Sequence, residues 1–110
     1  MLGVMIDPVS LAALDATAND YESAASVCGE LSAFLRKPIS EAELFSVFRS
    51  LEAHQLVKAY RAAPDGKSMS PTAPSASDSS LTVWFRASSE GRSLLEREWE
   101  STFGSDGKQQ

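Results

Sequence analysis

The residues whose types and spacing suggest a chemical task lie on a short amphipathic helix predicted over residues 41–54. Ser46, Arg49 and Ser50 fall on the side of this helix opposite its apolar residues. An arginine guanidinium in such a position can donate two hydrogen bonds to O6 and N7 of guanine, and serine hydroxyls can contact base edges. We therefore predict that these three residues contact bases of double-stranded DNA. For Arg49 the alternative is a solvated side chain loosely paired with Glu52.

Three further cations flank that helix in the sequence. Lys37 lies in the turn before it, Arg61 ends the strand predicted after it, and Lys67 lies in the following loop. Cations beside a DNA-reading helix commonly bind backbone phosphates and so position the protein. We predict this role for all three. For Lys37 the alternative is stabilisation of the negative end of the preceding helix.

The elements that must position these residues follow from the apolar period and from helix caps. Ser40 and Glu43 have capping-box spacing, in which each side chain accepts from the backbone amide of the other residue. Val83 and Phe85 alternate with Trp84 and Arg86, as in a half-buried strand. The predicted helices span residues 9–18, 21–36, 41–54 and 89–103, and the predicted strands span 57–62 and 81–87. This order predicts an α+β winged helix-turn-helix domain with three helices, a two-stranded wing and a C-terminal helix.

Capping residues set the predicted starts of the first two helices. Asp7 followed by Pro8 predicts the first start, and Asn19 with Glu22, at capping-box spacing, predicts the second. The apolar residues expected to be buried in the second helix are Ala25, Cys28, Leu31 and Leu35. Gly29 within that helix suggests close packing or a locally weak helix.

Residues 63–80 have no apolar period and include three prolines, which predicts a mobile wing loop. Pro64-Asp65-Gly66 in this loop has turn chemistry, and residues 104–110 are expected to fray. Residues 1–110 thus form one predicted domain.

Two segments resemble the winged-helix transcriptional regulators of the PadR type. Residues 44–57 (LFSVFRSLEAHQLV) are similar to that family's recognition helix, which ends in Leu-Glu-x-x-Gly-Leu-Val, and residues 84–91 (WFRASSEG) are similar to its wing strand, which ends in Leu-Thr-x-x-Gly. The resemblance implies a winged helix that binds DNA. Gln55 replaces the first glycine of that pattern, so we expect a left-handed backbone on a non-glycine residue there. Ala87 and Ser88 replace the Leu-Thr pair.

Composition limits the class of protein. The 110 residues are 43% hydrophobic and 23% charged, as in a folded domain, and contain no apolar run of about 20 residues that could span a bilayer. The single cysteine excludes an internal disulfide and suggests a cytoplasmic location. Fifteen acidic residues exceed ten basic ones, for a net charge of −5, and Glu41 and Glu43 lie on the outward side of the third helix. This charge opposes binding to phosphates.

No set of residues supports catalysis. His54 is the only histidine and is expected to interact with the helix dipole, while Cys28 is expected to be an inert core thiol. The chain has no phosphate-binding loop, zinc-ligand spacing or nucleophile elbow. We therefore expect neither an enzyme nor a cofactor or metal.

Two functions remain as predictions. The first is a small DNA-binding transcriptional regulator with the third helix in the major groove and the wing on the backbone. The last helix is expected to offer Leu94, Leu95 and Trp99 to the core, and the protein would act as a homodimer that buries part of this stripe against a second copy. The alternative is a winged-helix protein-protein interaction module that does not bind DNA and contacts a partner protein through its acidic third helix and Trp84.

Overall fold

The computed structural model describes residues 7–65, 68–72 and 83–103. In chain order the elements are α1 (Pro8–Ala16), α2 (Ala24–Leu35), α3 (Glu41–Ala53), β1 (Val57–Ala62), β2 (Met69–Pro71), β3 (Trp84–Ala87) and α4 (Ser89–Phe103). The chain is thus α+β, in an arrangement compatible with a winged helix. Within the described ranges no helix has the length and apolar character required to cross a membrane. Lys67, the tail 104–110 and most of the predicted mobile loop lie outside the described residues.

The sheet has three strands, in the order β2-β1-β3, and the predicted two-stranded wing is therefore wrong in its strand number. Strand β2 lies inside the segment predicted as a loop and pairs antiparallel with the end of β1, with Arg61 opposite Ser70. The Asp65 carboxylate accepts from the Ser68 amide at 3.2 Å and closes the connecting turn. A three-residue strand containing Pro71 has no alternating pattern, so only its pairing with β1 makes it a strand.

Helix α2 begins three residues later than predicted. Glu22 forms an antiparallel bridge with Phe85, in which the Glu22 amide donates to the Phe85 carbonyl at 2.9 Å and the Phe85 amide donates to the Glu22 carbonyl at 2.7 Å. The capping box belongs to Ser23 and Ser26 and not to Asn19 and Glu22. This pairing extends the sheet beyond β3.

The later start changes which residues of α2 are buried. Ala24, Val27 and Leu31 lie in the core, whereas the predicted Ala25, Cys28 and Leu35 are only half-buried. Gly29 is exposed, and a Cβ added there would meet no atom within 4 Å, so close packing does not explain this glycine.

Helix α1 also ends earlier than predicted, at Ala16. The Thr17 hydroxyl is buried and donates to the helix carbonyls of Ala13 and Leu14, and the Thr17 carbonyl accepts from the Ala87 amide at 2.9 Å. A backbone hydrogen bond therefore connects the residue that follows α1 to the end of β3.

The end of α3 follows the prediction for Gln55, whose φ is 64°. The Gln55 amide donates to Glu52 and the Leu56 amide donates to Leu51, both at 2.9 Å, which is the Schellman pattern of a left-handed helix end. The ring Nδ1 of His54 lies 2.8 Å from the Ser50 carbonyl oxygen, as expected for a histidine at the negative end of the helix.

Helix α4 packs mainly against α1. As predicted for the apolar stripe of this helix, Leu94 is buried in the core at 6% exposure, and Leu95 and Trp99 are partly buried against the core. Among the described residues, an exposed aromatic ring lies beside α4. Phe34 is 50% exposed and its ring centroid lies 6.0 Å from that of Trp99 and 5.2 Å from that of Phe103. We call Phe34, Trp99 and Phe103 the aromatic cluster.

Candidate nucleic-acid interface

Helix α3 is fixed in one orientation by its buried face. Leu44, Phe48 and Leu51 are at most 4% exposed and recur at helical spacing. The Phe48 ring stacks on Phe85 of β3, with centroids 4.7 Å apart and an angle of 11° between the planes. At the N-terminal end the Ser40 hydroxyl accepts from the Glu43 amide at 3.0 Å, which is one of the two hydrogen bonds of the predicted capping box. The opposite face of α3 is therefore held outward.

That outward face contains the three predicted base-contacting residues. Ser46, Arg49 and Ser50 are all exposed and border the same shallow depression on α3. The other residues lining it are Ala42, Phe45, Glu52 and Ala53. A guanidinium and two hydroxyls on one exposed surface suit the hydrogen-bonding groups of base edges.

Two of the predicted phosphate-binding residues lie near α3. Lys37 is exposed in the turn between α2 and α3, which the left-handed Arg36 (φ 58°) closes. Arg61 is exposed near the end of β1, on the same face of the sheet as the buried Val57 and Ala59. Helix α3 packs on β1, so Arg61 lies on the α3 side of the sheet. Lys67 is outside the described residues.

Acidic side chains divide the α3 surface into two parts. Glu41 and Glu43 are exposed in the first turn, where carboxylates are favoured by the positive end of the helix dipole. Arg49 lies about two turns further along, beyond Ser46. A polyanion would be repelled by the first turn, so only the middle and C-terminal half of α3 suits contact with phosphates.

Ser50 also lines a second and larger cleft, of about 720 Å³, between α1, α3 and α4. Its floor includes Leu51, Leu56 and Leu94, and His54 lies on its rim. Because Ser50 borders two concave surfaces, a change at Arg49 is the more selective probe of the depression.

The described part of the chain contains no group of three or more His, Cys, Asp or Glu side chains that could hold a metal ion. The Cys28 thiol is half-buried, less than predicted, and donates to the Ile39 carbonyl at 2.8 Å.

The chain matches no protein-family profile and no curated protein. The resemblance to PadR-type regulators stays a prediction from the residues quoted above.

Proposed function

We propose that this protein binds double-stranded DNA through the outward face of α3, as a small transcriptional regulator of the PadR type. The observation that carries the proposal is the grouping of Ser46, Arg49 and Ser50 in one depression, on a helix whose opposite face is fully buried. A helix held in this way can enter the major groove, which is wide enough to admit it.

In this mechanism Arg49 donates two hydrogen bonds to O6 and N7 of one guanine, and the flanking serine hydroxyls contact the neighbouring base edges. Lys37, in the turn before α3, and Arg61, on β1, bind phosphates, and Lys67 adds a third phosphate contact on the evidence of its sequence position alone. The acidic first turn stays at the rim of the groove, because Glu41 and Glu43 would otherwise approach the backbone.

A titration of labelled genomic duplexes from around the protein's own gene tests this directly. Arg49→Ala should weaken specific binding by about 1–3 kcal/mol and relax selection at one base pair. Arg92→Ala is the matched control, since it removes an exposed arginine from α4 and should leave affinity unchanged. Equal losses in both variants would show that only total charge matters and would refute base recognition by Arg49.

We also propose that two copies associate through the aromatic cluster, which shares Trp99 with the stripe expected from the sequence. The Phe34 ring is half exposed, so it leaves apolar surface in contact with water. A second copy of the protein could cover that surface. A two-fold dimer would match a palindromic site. Phe34→Glu should give monomers in light scattering, whereas Ala33→Glu adds the same charge at the neighbouring exposed residue and should not. A wild-type protein that is monomeric at high micromolar concentration would refute the dimer.

A second candidate function is supported by Glu41 and Glu43. Two exposed carboxylates at the start of α3 would repel phosphates but attract a basic partner protein. The same titration separates the candidates. If neither the wild type nor Glu43→Gln shifts any duplex at low salt, the interaction module replaces the DNA-binding proposal.

A further inference from the structure

The face of the sheet that points away from α3 carries aromatic rings and cations. Phe85 points inward to the rings of Phe45 and Phe48 on α3. Because side chains alternate along a strand, its neighbours Trp84 and Arg86 point outward. The register places Tyr60 opposite Trp84 and Lys58 opposite Arg86. We call Tyr21, Lys58, Tyr60, Trp84 and Arg86 the outer sheet face.

These side chains form one continuous surface. The Tyr21 ring meets the Tyr60 ring edge-on, with centroids 4.8 Å apart and an angle of 81° between the planes. The guanidinium of Arg86 lies 5.3 Å from the centroid of Tyr21, within the range of a cation–π contact. The three rings are half-buried and Lys58 is exposed. The rings thus cover the strands while part of each remains open to solvent.

The charge of this surface differs from that of the whole protein. Among the described residues that the register assigns to the outer face, none is acidic, although the chain carries a net charge of −5. A hydrogen bond from its own backbone amide is the main cause of the lowered pKa of Glu90, at the start of α4. The Ser89 and Ser88 hydroxyls and the positive charge of Lys58 also lower the pKa of Glu90, by smaller contributions.

We propose that the outer sheet face binds single-stranded DNA. Unpaired bases would stack on Tyr60 and Trp84, which are direct neighbours on adjacent strands, and Lys58 and Arg86 would contact the phosphates between them. Aromatic platforms beside cations bind single strands in this way, because every base has a π-face. In a duplex the base faces are stacked on one another and cannot reach these rings. The outer sheet face therefore does not suit the double-stranded DNA proposed for α3.

The proposed occupant is single-stranded DNA. The face supplies aromatic ring faces and two cations, which suit base faces and phosphates. Neither contact involves a ribose 2′-hydroxyl, so single-stranded DNA offers every group that these contacts need. The site shares no residue with the α3 depression, so the two proposals can fail independently.

Trp84 itself provides the test. The chain has two tryptophans, so Trp99→Phe leaves Trp84 as the only indole. Titration of this variant with oligothymidylate of about 12 nucleotides, in about 50 mM salt, should quench its fluorescence to saturation. The matching duplex should not quench it. Absence of quenching by the single strand would overturn the proposal.

Further variants test the named contacts by anisotropy of the labelled oligonucleotide. Tyr60→Leu should weaken binding about tenfold or more, and Lys58→Gln, at an exposed side chain, should weaken it without removing a ring. Arg92→Gln on α4 is the charge-matched control and should have little effect. An equal loss for Arg92→Gln and Lys58→Gln would overturn the site. An oligouridylate bound tighter than the thymidylate would overturn the assignment to DNA.

Discussion

The ring of Phe48 lies flat against the ring of Phe85, with centroids 4.7 Å apart. Phe48 belongs to α3 and Phe85 to β3, and neither side chain is exposed to solvent. This single stacked pair joins the proposed DNA-reading helix to the strand whose other face carries the aromatic surface. The orientation of α3 therefore depends on the same contact as the position of β3.

Phe48→Ala should lower the free energy of unfolding by about 3–5 kcal/mol, because it leaves a cavity between α3 and the sheet. Urea unfolding followed by circular dichroism measures the change. Phe34→Ala, at a ring that is 50% exposed, should cost clearly less at protein concentrations too low for association. An unchanged midpoint in Phe48→Ala would mean that α3 packs in another orientation.

Two glycines should respond oppositely to the same substitution. A Cβ on Gly91 would overlap the backbone carbonyl oxygen of Leu56 and lie 3.0 Å from Leu14 Cδ2, so Gly91→Ala should destabilise by about 1–3 kcal/mol or more. Gly29 is exposed inside α2 with open space around it, so Gly29→Ala should stabilise by about 0.5–1 kcal/mol. Thermal unfolding of the two variants measures both signs, and a stabilised Gly91→Ala would contradict the close approach of α4 to Leu56.

Gln55→Gly should stabilise the protein by about 0.5–1 kcal/mol. The residue has a φ of 64°, where a Cβ is strained and glycine is not. Gln55→Ala keeps the Cβ and should bring no such gain, so the difference between the two variants isolates the backbone effect. The same unfolding assay applies. If glycine and alanine behave alike at this position, the left-handed end of α3 carries no strain.

Glu43→Gln should strengthen non-specific duplex binding, because it removes a negative charge from the first turn of α3. Glu96→Gln removes an exposed charge from α4 and is the control.

The salt dependence of duplex binding should be shallow. With the three phosphate contacts proposed for Lys37, Arg61 and Lys67, the logarithm of the binding constant should fall against the logarithm of salt with a slope near −3, by the rule of roughly −0.9 per contact. A slope near zero would indicate that cations do not reach the phosphates.

Local chemistry determined most of the helices. Three local features lie where the sequence predicted them, and each involves residues only a few positions apart. They are the Asp7 cap of α1, the Ser40 cap of α3 and the left-handed turn at Gln55. The period of Leu44, Phe48 and Leu51 likewise predicted which side of α3 is buried, and therefore that Ser46, Arg49 and Ser50 lie together outside. Such signals can be read from a sequence because their partners are one or two helical turns apart.

Tertiary structure decided the features whose partners are distant in the chain. Glu22 was predicted to lie in the first turn of α2, yet it forms a β-bridge because Phe85, more than 60 residues later, supplies both of its backbone hydrogen bonds. Strand β2 exists only by pairing with β1, and the buried stripe of α2 shifted with its later start. The outer sheet face depends on the same pairing, since it brings Tyr21 to Tyr60 and Arg86. Backbone hydrogen bonds between distant segments leave no periodic signal in either segment alone, so only the folded chain shows them.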